Sequence, residues 1–62
     1  MKYRDAKLLH NGDEITCKAD GIVYQVIDIQ VFGQYKKVKI NCCRETQIGC
    51  GHLYSFYNDE VE

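Results

Sequence analysis

Lys36-Lys37-Val38-Lys39-Ile40-Asn41-Cys42-Cys43 is the stretch on which the fold turns. Val38, Ile40 and Cys42 alternate with Lys37, Lys39 and Asn41, the period of two that sends successive side chains to opposite faces of a β-strand. Such a strand buries one face and offers the other to water, so its neighbours must complete an apolar layer. Just before it, Phe32-Gly33-Gln34-Tyr35 reads as a hairpin connection. Across that turn, Ile22 to Val31 is the longest apolar run. Val23, Ile27, Ile29 and Val31 share one parity against Asp28 and Gln30, while Ile22, Tyr24 and Val26 make the other face apolar as well. A strand apolar on both faces in its first half is expected to bend and serve both sides of a strongly curved sheet.

Further upstream, Glu14-Ile15-Thr16-Cys17-Lys18 places Ile15 and Cys17 on one face. Asn11-Gly12-Asp13 and Ala19-Asp20-Gly21 flank it with turn chemistry, because Asn, Asp and Gly accept the positive φ that tight turns demand. Downstream, Arg44-Glu45-Thr46-Gln47 reads as a turn. Ile48 to Tyr54 then reads as a strand with Ile48, Cys50, His52 and Tyr54 on its core side. Tyr54 to Asp59 is expected to form a short turn or a single 3-10 turn, and Glu60-Val61-Glu62 a brief closing strand with Val61 inward. Pro is absent and helical periodicity is hard to find. Five short strands in one domain, residues 1–62, point to a small, highly twisted all-β barrel.

The 62 residues leave no room for a cleft between lobes. Eight basic against nine acidic side chains argue against a chain held on nucleic acid mainly by net charge. Neither half is a basic arm or an acidic tail, with four bases and five acids in residues 1–31 and four of each in 32–62. The first residues lack the apolar core of a signal peptide, and no stretch approaches the roughly 20 apolar residues of a membrane span. A cytoplasmic location, with no membrane contact, is the expectation.

Leu9-His10-Asn11-Gly12-Asp13-Glu14-Ile15, followed by Gly21-Ile22-Val23, resembles the opening of KOW-like and other SH3-like barrels. The ending Phe56-Tyr57-Asn58-Asp59-Glu60-Val61-Glu62 is similar to the turn and closing strand of such barrels. One glycine usual before the long strand of KOW segments is missing. The resemblance implies a five-stranded SH3-like barrel acting as a binding module, in a superfold whose members bind RNA, peptides, methylated side chains or partner proteins.

The four cysteines, Cys17, Cys42, Cys43 and Cys50, raise the question of a metal or a disulfide framework. Without a secretory signal the disulfide reading is weak. Cys43, Cys50 and His52, with Cys17 or Cys42 as a fourth, carry the donor atoms of a tetrahedral zinc site, but the adjacent Cys42-Cys43 and the single residue between Cys50 and His52 depart from its usual C-x₂₋₄-C spacing. Cys17, Cys42 and Cys50 fall on inward positions and read better as small core hydrophobes, so no cofactor is expected. Cys43, read as outward, is then the thiol most open to reaction. A Cys43-His52 nucleophilic pair lacks an orienting group. Asp13-Glu14 and Asp59-Glu60 point to opposite faces if extended, and read as solvated turns. No enzyme is expected.

Two binding readings remain. Five tyrosines and two phenylalanines exceed what so small a core hides. Tyr24, Tyr54 and Tyr57 lie beside the turns where the resemblance implies a groove, which makes recognition of a protein or peptide the first expectation. The alternative is a nucleic-acid surface built from Tyr35, Lys36, Lys37 and Lys39, with Phe32 nearby, whose ammonium groups would meet phosphates while a ring stacks on a base. Lysines on a sheet's solvent face are, however, ordinary.

Overall fold

The computed structural model describes residues 1–44 and 53–62. Its elements, in chain order, are the single helical turn α1 (Tyr3–Ala6), strands β1 (Glu14–Thr16), β2 (Val23–Phe32), β3 (Lys37–Arg44) and β4 (Tyr54–Tyr57), and a 3-10 turn at Asn58–Glu60. The four strands form one antiparallel sheet in the order β1-β2-β3-β4. The all-β expectation holds in the coarser form of a mostly β fold with one helical turn, the 3-10 turn near the C-terminus stands, and the five-stranded closed barrel does not. The expected closing strand is reduced to one bridge, Val61 to Cys17, flanked by hydrogen bonds from Lys18 N–H to Glu60 O and from Glu62 N–H to Thr16 O. Because the 3-10 turn takes Asn58–Glu60 and β1 is three residues long, only Val61 is left to pair.

Tyr54–Tyr57, expected as a turn, is a strand. Its alternation is real: Tyr54 lies opposite Cys42 and Phe56 opposite Ile40 on the inner face, while Ser55 and Tyr57 lie opposite Asn41 and Lys39 on the outer. Of the turn expected over Arg44–Gln47, Arg44 is instead the last residue of β3, paired with Tyr24, and the rest of it falls outside the described residues, as does the expected strand from Ile48 up to His52. α1 leaves no trace in the sequence pattern, since a single turn has no period to detect. It brings the fully buried Ala6 under β3 and the 3-10 turn.

The two apolar faces of β2 have a simple resolution. Val26 pairs with Cys42 and Asp28 with Asn41, which leaves Ile27 as an extra residue without a partner on β3. This β-bulge switches the inward parity. Before it Tyr24 and Val26 face inward, and after it Ile29 and Val31 do, opposite Ile40 and Val38. The loop before β1 docks on the bulge, with Gly12 N–H on Val26 O, Val26 N–H on Asp13 O, and the Asn11 side-chain amide on Ile27 O. Gly12 at φ 98° and Gly21 at φ 70° occupy the expected turns. At the far end Val31 stays 46% exposed despite its inward parity. The layer covering that end is one helical turn that packs on β3 and the 3-10 turn.

Ile15, Cys17, Tyr24, Val26, Val38, Ile40, Cys42 and Val61 form the core with Ala6. Tyr24, only 2% exposed, stands edge-on to Tyr54 and Phe56 at centroid distances of 5.2 and 4.9 Å. Its hydroxyl reaches Asp20 Oδ2 at 3.3 Å. Among the described residues no helix is long and apolar enough to cross a membrane.

The chain ends meet at Asn58, the one buried polar side chain among the described residues. Its Oδ1 accepts from Val38 N–H at 3.0 Å and its Nδ2 donates to Met1 O at 3.2 Å, while the Met1 amino group donates to the backbone oxygens of Asn58 and Val61. An Asn58→Ala substitution leaves a buried β3 N–H without its acceptor. It should lower unfolding free energy by about 2 kcal/mol, read as a fall in the urea midpoint at unchanged slope.

Candidate functional site

The tyrosines expected to make one surface do not converge. Tyr24 is in the core, out of reach of a partner. Tyr54 covers it from β4 on the same inner face, with the Arg44 guanidinium 5.4 Å above its ring. Tyr57 lies on the opposite face, because β4 alternates there. Burying Tyr24 follows from the bulge, which turns the early even-numbered positions of β2 inward.

Tyr57 instead joins residues from the other expected set. At the end of the sheet where the β2–β3 hairpin approaches the 3-10 turn, Phe32, Tyr35, Lys37, Tyr57, Asp59 and Glu60 line a groove of about 600 Å³, a size that suits a ligand side chain or a short segment. Phe32 and Lys37 face each other as the last cross-strand pair of the hairpin. The turn between them is closed by Tyr35 N–H on Phe32 O and Lys36 N–H on Gly33 O, with Lys36 in the left-handed region at φ 52°. It holds Tyr35 up as the most open tyrosine, 71% exposed, while Tyr57 is 44% exposed.

Two contacts order the charges around the groove. Lys37 Nζ and Asp59 Oδ2 are 2.6 Å apart. The hydrogen bond from Lys37 holds the Asp59 carboxyl below its ordinary range. Glu60 Oε1 accepts Tyr57 N–H at 3.0 Å, so the carboxylate that reaches back over the 3-10 turn is fixed in place. Asp59 and Glu60, read from the sequence as a solvated turn, thus belong to the rim. Tyr57 on the outward parity was the available signal, but its grouping with Tyr35 required the hairpin and the turn to be brought together.

The lysine ridge is divided. Lys37 is spent on Asp59, Lys36 sits in the hairpin turn, and Lys39 lies mid-strand between Gln30 and Tyr57. Next to it the outer face carries a polar row across three strands. The Asn41 amide donates to Asp28 Oδ1 at 2.7 Å and Ser55 Oγ donates to Asn41 Oδ1 at 2.8 Å.

Cys17 and Cys42 are buried as expected, and Cys50 and His52 lie outside the described residues. Cys43 does point away from the core face, opposite Gln25, yet it is only 8% exposed. Its expected role as an open, reactive thiol is corrected, since outward parity on an inner strand does not ensure access to solvent. Among the described residues no three His, Cys, Asp or Glu side chains gather as a metal site. Burial pushes the Cys42 thiol up to about 11.

Two titrations check this geometry. The raised Cys42 value means that the folded protein holds its proton longer than the unfolded chain, so this thiol's contribution is intact below pH 9 and stability falls as pH rises towards 11. Cys42→Ala should remove that part of the slope in urea melts run across this range. For Asp59 the sign is opposite: the ion pair is present above the ordinary carboxylate range and is lost as pH falls through the depressed value. The Asp59 side-chain carbon resonance should titrate low in the native protein and return towards 3.8 in Lys37→Met. Compared with known family models, curated proteins and solved structures, the chain matches none.

Proposed function

We propose that this protein is a non-enzymatic binding module that takes a short peptide segment of a partner protein in the groove between the β2–β3 hairpin and the 3-10 turn. The observation that carries the reading is the meeting of three aromatic rings, Phe32, Tyr35 and Tyr57, around one open groove. Rings of this kind bury large area at small entropic cost and dominate recognition surfaces. Tyr35 is poorly explained by packing, because a ring this exposed adds little to the core.

The contact surface is thus Tyr35 and Tyr57 with Phe32, in place of Tyr24 and Tyr54. A nucleic-acid ligand is disfavoured at the same place, since two carboxylates stand on the rim and the nearest ammonium is already paired.

Peptides selected from a displayed random library, then made synthetically and titrated into labelled protein, test this. Amide shifts should cluster at Phe32, Tyr35, Lys37, Tyr57, Asp59 and Glu60. Tyr35→Ser should weaken binding about tenfold, the loss of one ring contact, with no change in the urea midpoint. Shifts centred on Lys36 and Lys39 with a single-stranded oligonucleotide at physiological salt, and none with the selected peptides, would overturn the reading.

A further inference from the structure

We infer that the groove selects its peptide by an arginine side chain, whose guanidinium lies against the Tyr35 and Tyr57 rings and donates to Glu60. The inference rests on the peptide reading above and adds the chemistry of the anchor.

Three features of the groove converge on a planar cation. The first is charge. One ammonium, Lys37, stands against two carboxylates, Asp59 and Glu60, so the empty groove carries one net negative charge. The Lys37–Asp59 pair satisfies one carboxylate and leaves the other without a counter-ion among the described residues. The second is position. Glu60 is held through Oε1 by Tyr57 N–H, and no described residue donates to its second oxygen, so a fixed acceptor is presented beside the Tyr57 ring. The third is the aromatic wall, whose π faces attract a cation and hold a flat one best.

Other anchors fit less well. An apolar side chain would strip water from Glu60 and from the Lys37–Asp59 pair with no compensating hydrogen bond. A phosphate or carboxylate would face like charge. A ligand lysine repeats what Lys37 supplies, as a strongly hydrated point charge, whereas guanidinium is more weakly hydrated, stacks on rings and donates from a planar fork. Lys37 therefore acts as an internal competitor. Its pair with Asp59 is solvent-exposed and hence weak, and removing it frees a second carboxylate for the ligand.

The test uses four acetylated, amidated pentapeptides, Gly-Ser-Xaa-Ser-Gly with Arg, Lys, Leu or Glu at the centre, followed by amide shifts of the intact protein. The arginine peptide should bind at Tyr35, Tyr57 and Glu60 about fivefold more tightly than the leucine peptide. Glu60→Gln keeps an oxygen for Tyr57 N–H, so it preserves the turn while removing the charge. It should weaken the arginine peptide about fivefold without weakening the leucine peptide, whose cost of stripping water from the Glu60 charge it removes. Lys37→Met should strengthen the arginine peptide about threefold. Equal binding of the arginine and leucine peptides, or indifference of the arginine peptide to both substitutions, overturns the arginine assignment and leaves the peptide reading standing. Silence with all four peptides also overturns it, and the library-selected peptides then decide separately whether the groove binds peptide at all.

Discussion

The single extra residue at Ile27 is the constraint around which the rest is arranged. A ten-residue strand with apolar residues on both faces in its first half cannot lie in one flat, half-buried sheet without exposing one set. The bulge resolves the conflict by changing parity in mid-strand, so that Tyr24 and Val26 share the inner face with Ile29. It also bends the strand and opens a seat for the loop at Asn11 to Asp13, whose backbone and side-chain hydrogen bonds satisfy the locally interrupted ladder. Tyr24 then stands at the centre of the inner face, and Tyr54 and Phe56 close over it from β4.

A second tie brings the far end of the chain back to the sheet. Asn58 bonds β3 through Val38 N–H and the N-terminal segment through Met1 O. With Val61 fully buried and bridged to Cys17, it fixes the 3-10 turn at the end of β4. That placement brings Asp59 within reach of Lys37 and lets Glu60 fold back on Tyr57. The groove is therefore a consequence of how the core is closed. Its aromatic wall comes from the hairpin and β4, and its acidic rim from the turn that Asn58 anchors.

Much of this frame was legible. The alternation of Val38, Ile40 and Cys42 predicted a half-buried strand, and the turns at Gly12 and Gly21 follow from residues that accept positive φ. Cys17, Cys42 and Val61 were rightly placed inside. Sequence and structure part where the local pattern has two solutions. Tyr54-Ser55-Phe56-Tyr57 has the period of a strand but sits before Asn58-Asp59, and the turn residues masked it. Parity alone sends Cys43 to solvent, whereas the structure leaves it only 8% exposed. A five-stranded barrel needs the last segment to pair along its length, and only Val61 of it is bridged, to Cys17.

What the sequence determined by itself is local: which segments are extended, where the tight turns fall, and which side chains share a parity. These depend on backbone sterics and on the period of two, and both act between near neighbours in the chain. The tertiary structure decided which parity is covered, where it switches, and which distant residues share a groove. Tyr35 and Tyr57 are far apart in sequence, as are Lys37 and Asp59, and each pair meets only because β3 and β4 lie side by side and Asn58 locks the turn that follows. Burial is a property of the whole packed layer, so Tyr24 in the core and Tyr57 at the groove, chemically identical, take opposite roles.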